Sequence, residues 1–298
     1  MTTLFAGPWV GEFGWELFCW QGYLRKIAPK FDRVIVASRP GHECLYEDFC
    51  DEFIGYQPSN GVTSGATCEG IRYNDLHKKY IDNYYAWKRL ETHKSTSCRE
   101  LQHTVFRKYD AVWIPPETYV IPYLPSPKFA RILAIFKQQE FVKYGRNTGA
   151  GFDVLIHARN IKSTSIHKNK RNWSIEKWEQ LVQQLHGFSI GSIGSKQGAA
   201  HIKGSTDLRG VSLQKLTDVM ASSELIVGPS SGPMHLASLC GLPHLVWSNR
   251  SNFYRYNKHW NPHRTPCIFY DKEGWDPRPE SINKLVHKAL NKKVKLVS

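Results

Sequence analysis

From residue 153 onward the chain alternates short apolar runs with stretches of helical length, and this alternation narrows the possible folds more than any other feature. DVLIH at 153–157 reads as a strand, followed by a helix over 174–186 and a strand over 188–193. A helix over 212–221, a strand over 224–228, a helix over 232–240 and a strand over 243–247 continue the series. Parallel strands need crossover connections, so this grammar predicts a parallel sheet with helices on both faces. The first half repeats it in weaker form. Leu4–Ala6 is a short strand, and a helix is expected from about Gly14, with Leu17, Trp20, Leu24 and Ile27 at helical spacing before Pro29. RVIVA at Arg33–Ala37 and Ala111–Ile114 are further strands, and 129–141 resumes a helical pattern. The glycine-rich stretch YGRNTGAG, 144–151, is the expected linker. The fold class is therefore α/β, with two Rossmann-like domains, 1–148 and 149–298, facing across a cleft. A last helix over about 279–293, with Lys292, Lys293 and Lys295 at its end, could pack back on the first domain.

Composition excludes other classes. With 41% hydrophobic and 22% charged residues the chain is not disordered, collagen-like or a coiled coil. No apolar run is long enough for a transmembrane helix. MTTLFAGPWVGEFGWEL lacks a basic segment leading into an apolar run, so a cytoplasmic protein is expected. Lys+Arg 40 minus Asp+Glu 26 leaves +14, which favours an anionic partner: nucleic acid, anionic lipid or a phosphorylated substrate. Seven cysteines without a C-x-x-C pair argue against structural zinc. Neither a GxxxxGK[ST] loop nor a GxGxxG fingerprint occurs, and Gly191, Gly194 and Gly198 are spaced wrongly for the latter. No Asp-x-Asp pair is present, and nothing in the sequence requires a metal.

The most informative stretch is 207–248. Its strand LIVG ends in Pro229-Ser230-Ser231-Gly232-Pro233, and a proline suits the first turn of a helix. Free amides and the positive helix end would then sit at the carboxyl edge of a parallel sheet, where open α/β sheets bind ligands. A diphosphate fits there; the competing reading is an ordinary turn with capping serines. Met234 and His235 follow, the histidine either touching phosphate or packing. Arg159 and Lys162, after the strand at 153–157, would steady charge on a departing diphosphate. Lys168, Lys170 and Arg171 extend that basic loop toward donor or acceptor phosphates, unless they form only a solvated face.

These residues resemble the C-terminal nucleotide-sugar site of GT-B glycosyltransferases, above all the heptosyltransferase-like group. That group has a strand, a polar turn with Ser/Thr-Gly, a helix opening Met-His-Leu-Ala and a Gly-x-Pro. Here stand Ser231, Gly232, Pro233, Met234, His235, Leu236, Ala237, Gly241 and Pro243. Ser230 occupies a place where the group often has Asp. His157-Ala158-Arg159, Lys162 and NWSIEKWEQL resemble the opening of the group's C-terminal domain, and Gly11-Glu12 resembles its N-terminal Gly-Asp, whose Asp is the proposed base. The resemblance implies a GT-B fold with an acceptor-binding first domain and a nucleotide-sugar-binding second. It implies a nucleotide diphosphate sugar as donor, a UDP-sugar by expectation, with Gly11 and Gly194 among the donor-binding residues and no further cofactor. Glu12 is the candidate base, since a positioned carboxylate can take the proton of an attacking hydroxyl. Glu16 is the alternative, Asp51 and Glu52 are weaker rivals, and Glu12 could instead serve the helix start. A single base favours inversion.

For the acceptor, the sequence points to a 5-hydroxymethylpyrimidine in bacteriophage double-stranded DNA. Lys78, Lys79, Lys88 and Arg89 are interleaved with Tyr80, Tyr84, Tyr85 and Trp87, and RSNFYRYNKHW at 250–260 brings Arg250 and Arg255 among aromatics. That pattern suits phosphate contact with stacking, and a duplex base must leave the stack to react. Core packing is the competing reading of such aromatics. Two alternatives stand beside it: a cell-envelope glycosyltransferase of the heptosyltransferase kind, and a non-catalytic binder of nucleotide sugars or nucleic acid.

Overall fold

The computed structural model describes residues 3–9, 11–56, 111–114, 139–162 and 170–297. The chain forms two compact units, Met1–Phe141 and Val142–Ser298.

In the first unit, strands β1 (Thr3–Ala6), β2 (Arg33–Ser38), β3 (Glu52–Gly55) and β4 (Ala111–Ile114) form a parallel sheet in the order β3-β2-β1-β4. Phe5 pairs with Ile35 on one side and Trp113 on the other. The helical segment after β1 is not one helix: α1 (Phe13–Trp15) passes through a π-helical turn, Glu16–Trp20, into α2 (Gln21–Ile27). Leu17, Trp20 and Leu24 are buried, as their spacing predicts.

The second unit holds β5 (Val154–Ile156), β6 (Ile190–Ser192), β7 (Thr206–Asp207), β8 (Leu225–Pro229), β9 (His244–Trp247) and β10 (Cys267–Tyr270), all parallel, in the order β10-β9-β8-β5-β6-β7. The helices are α3 (Ile175–Gln184), α4 (Leu213–Ser222), α5 (Gly232–Cys240) and α6 (Pro279–Val297). Ser174 and Ser212 cap α3 and α4 through their side chains, which accept the amides of Lys177 and Lys215. Read from its first strand, the sheet has the 3-2-1-4-5-6 order of a Rossmann fold, and the first unit shows 3-2-1-4. Burying the sheet on both faces explains why β8 and β9 have no exposed residue.

The core of the second unit is built on three tryptophans. The ring centroids of Trp173, Trp178 and Trp247 lie 4.9–5.4 Å apart, and the Trp173 indole N–H donates to the Pro277 carbonyl at 2.9 Å. Helix α6 packs against α3 and buries Ile282 and Val286 in this same core. The 144–151 stretch also belongs to this unit. Tyr144 is buried, the Arg146 amide donates to Asp218, and the Thr148 amide donates to Ser222. A Cβ on Gly151 would lie 1.7 Å from the Ser222 carbonyl oxygen, so only glycine allows the backbone this close to the end of α4.

Candidate functional site

The second unit carries the candidate anion site where its sheet reverses direction. Strands β5 and β8 are neighbours, with Ile156 opposite Val227, and the chain leaves them toward opposite flanks of the sheet. Their carboxyl ends therefore border the crevice in which such sheets bind ligands. The His157 amide donates to Val227 at 3.0 Å and continues the ladder one residue past β5. Burial holds the His157 imidazole down at about 4, so it is neutral, and its Nδ1 lies 3.2 Å from the Ile193 carbonyl. Gly194, with φ +125, packs against that ring: a Cβ there would lie 3.0 Å from it. A side chain at 194 would crowd Ala199 as well as this ring.

Arg159 is buried, and its guanidinium donates to Asn172 Oδ1. Asn172 also accepts the Ile161 amide at 3.3 Å and donates to the Ile161 carbonyl at 2.9 Å, fixing the backbone beside the arginine. Lys162 and Lys170 are exposed; Arg171 is half-buried, its guanidinium 5.1 Å from the centre of the Trp275 ring. Lys168 lies outside the described residues.

At the end of β8 the Ser230 amide donates to Trp247 at 3.0 Å. The Tyr256 hydroxyl accepts the Ser231 amide and donates to Ser230 Oγ, both at 3.2 Å. Ser231 is the N-cap of α5, yet its side chain makes no capping bond, and its Oγ is buried with no hydrogen-bond partner among the described residues. The capping-serine reading is thereby corrected. The first-turn amides of Gly232 and Met234 have no intrahelical carbonyl to reach, and Pro233 has no N–H. Met234 and His235 point inward and are buried, which corrects both as phosphate contacts. His235 stacks on Tyr256 at 4.2 Å and meets Trp260 edge-on at 4.6 Å. Burial first, then the nearby charge of Arg255, depresses its pKa well below the usual histidine value.

The segment 250–260 is corrected as an aromatic nucleic-acid surface. Tyr256 and Trp260 are buried core residues, and only Tyr254 is largely exposed, because the chain turns through a π-helix at Arg255–His259 and folds its rings under α5. Arg255 lies over Trp260, and Arg250 is paired with Asp271 at 3.0 Å. Lys78, Lys79, Lys88 and Arg89 lie outside the described residues.

In the first unit, Glu12 stands exposed at the N-cap position of α1, past the carboxyl end of β1, with no side-chain capping bond. Gly11 is buried, and its carbonyl accepts from Arg39. Glu16, the alternative base, is corrected. Its carboxylate is 0% exposed and accepts from Ser38, from Tyr46 at 2.7 Å and from His42 at 2.8 Å, with Arg39 at 3.6 Å. Burial raises its pKa, but His42 and Arg39 outweigh that and bring it to about 2. No substrate hydroxyl can reach it. Asp51 and Glu52 are corrected as well: they sit at the amino end of the sheet, opposite the Glu12 edge. Asp51 accepts the Val34 amide at 2.7 Å, and Glu52 pairs with Arg33 at 2.9 Å. The residues missed by sequence reasoning are Arg39, His42, Asn172 and Tyr256. Two of them carried a signal: Tyr256 in the aromatic run it belongs to, and Asn172 at the head of NWSIEKWEQL.

Among the described residues no helix is long and apolar enough to cross a membrane, and no group of three or more His, Cys, Asp or Glu side chains could hold a metal ion. No protein-family model and no curated protein matches the sequence. Solved structures do match. ADP-heptose LPS heptosyltransferase II of E. coli superposes with a TM-score of 0.59 at 13% identity, covering 98% of this chain and 99% of the other. A family 9 glycosyl transferase from Veillonella parvula gives 0.57 at 12%, covering 98% and 97%. E. coli heptosyltransferase WaaC with ADP gives 0.53 at 10%, covering 97% and 100%. Over nearly its whole length, then, this chain is an α/β protein with two parallel sheets that has the GT-B fold of the heptosyltransferase structures.

Proposed function

We propose that this protein is a GT-B glycosyltransferase that moves a sugar from a nucleotide diphosphate sugar to a hydroxyl group. The observation that carries the proposal is the Ser230–Pro233 turn at the sheet reversal, where α5 begins, with Arg159 just past the adjoining strand end. An acceptor oxygen attacks the anomeric carbon, the bond from that carbon to the diphosphate oxygen breaks, and the acceptor proton passes to the Glu12 carboxylate. The nucleoside diphosphate leaves with its negative charge facing the helix amides and Arg159. Lys162, Lys170 and Arg171 add positive charge along the same loop.

A phosphorylated glycan of the cell-envelope kind is the acceptor this reading favours. It matches the net charge of +14 and the heptosyltransferase likeness, and the DNA reading loses the 250–260 surface on which it partly rested. The test mixes the protein with ADP-, UDP- and GDP-sugars and two acceptors, a phosphorylated core oligosaccharide and a hydroxymethylcytosine duplex, and weighs the products. A mass gain on the oligosaccharide supports the proposal, and a gain on the duplex restores the DNA acceptor. Binding of no nucleoside diphosphate by calorimetry rejects the enzyme reading altogether.

A further inference from the structure

The turn at Ser230–Ser231 is held by a residue that lies 25 positions further along the chain from Ser231. The Tyr256 ring is immobilised on all sides: it stacks on His235 at 4.2 Å, lies 5.9 Å from Phe269 and from His244, and is buried. Its backbone belongs to the π-helix Arg255–His259, closed by the Trp260 amide on the Arg255 carbonyl at 2.7 Å. Such turns recur where a side chain must be aimed. Burial pushes the Tyr256 phenol above its ordinary pKa, so the hydroxyl stays neutral and able both to donate and to accept.

Both capacities are used. The hydroxyl occupies the Ser231 amide and turns Ser230 Oγ inward. An N-cap serine ordinarily bonds the amide two or three residues on, which here is the Met234 amide because Pro233 has none. Ser231 makes no such bond. We infer that Tyr256 is a positioning residue for the diphosphate: by accepting the Ser231 amide and donating to Ser230 Oγ, its hydroxyl fixes the turn that presents the Gly232 end of α5 to a phosphate. Without the hydroxyl, the Ser231 amide and Ser230 Oγ lose their shared partner and the turn is no longer pinned.

The inference rests on the glycosyltransferase reading, and the experiment separates the two. Calorimetry measures ADP and UDP binding to the wild-type protein, to Y256F and to Y254F, with adenosine and uridine measured by competition. Y256F keeps the ring and loses only the hydroxyl. Its Kd for the nucleoside diphosphate is expected to rise about tenfold, because the turn loses both hydrogen bonds that the hydroxyl makes to it. The nucleoside Kd stays unchanged, and Y254F binds as wild type. A purely structural role would lower the melting temperature and weaken both ligands alike or neither; that result, or a Y256F Kd equal to wild type, overturns the inference. If the wild-type protein binds neither diphosphate, the glycosyltransferase reading itself fails. Should Y256F not fold, 3,5-difluorotyrosine at position 256 keeps ring and hydroxyl but weakens the oxygen as an acceptor. A severalfold loss of diphosphate affinity then supports the inference, and unchanged affinity overturns it.

Discussion

The two units share a sheet order and support their carboxyl edges in opposite ways. Each begins 3-2-1-4, and each sets a π-helical turn beside the candidate site, Glu16–Trp20 in one and Arg255–His259 in the other. Beneath Glu12 the support is charged: Glu16 is buried among Arg39, His42, Ser38 and Tyr46. Beneath the α5 turn it is neutral: Tyr256, His235 and Trp260 stack together, and His157 and His244 are also uncharged at neutral pH. An edge that presents a carboxylate can sit over a buried anion only if cations accompany it, and Arg39 serves both by reaching Glu16 and the Gly11 carbonyl. The start of a helix carries a partial positive charge, and a floor of neutral rings leaves that charge uncancelled.

The largest expected effect tests the edge of the first unit. Glu12→Gln should lower turnover by about 10²–10⁴-fold, the usual contribution of a general base, with the Kd for nucleoside diphosphate unchanged. Initial rates and calorimetry read the two quantities; equal rates for variant and wild type would remove Glu12 from the chemistry.

Glu16→Ala breaks the charged support and strands Arg39 and His42. It should cost about 3–5 kcal/mol, seen as a fall in the denaturant midpoint of the first unit, while the second keeps its own. A loss shared equally by both units would erase the contrast.

Acid should act the other way round. His157 and His244 are held to about 4, below the ordinary 6.5, so the folded second unit resists protons that the unfolded chain accepts. Their contribution is complete above pH 6.5 and is lost as pH falls toward 4, on the order of 3 kcal/mol per ring. Glu16, lowered from 4.5 to about 2, contributes fully above pH 4.5 and loses its part only as pH falls toward 2. Hydrogen exchange read by mass spectrometry at pH 7 and pH 5 should therefore show the second unit loosening first. The smallest effect belongs to Arg250, an exposed partner of Asp271: Arg250→Ala should change stability by less than about 1 kcal/mol. It should also leave acceptor transfer within about twofold, as expected of a surface ion pair away from the anion turn; a large loss of transfer to duplex DNA alone would revive the nucleic-acid surface.

Much of the architecture was legible because its determinants are local. The β-branched run RVIVA and the helical spacing of Leu17, Trp20 and Leu24 declare their elements within a few residues, as does the proline that opens α5. The strands Glu52–Gly55, Thr206–Asp207 and Cys267–Tyr270 escaped notice, since runs this short carry no periodicity to distinguish them from loop. What each polar side chain does was decided only by packing. Glu12 and Glu16 sit four residues apart in similar sequence, yet one is exposed and the other meets His42 and Tyr46, 26 and 30 positions away. The aromatic run at 250–260 has the composition of a binding surface and became the floor of the α5 turn, because Tyr256 found Ser230 across 26 residues. The alternation of elements was written in the chain itself. Burial and partnership depend on residues distant in sequence, so tertiary structure alone chose which carboxylate faces solvent and which aromatic ties the Ser230–Ser231 turn.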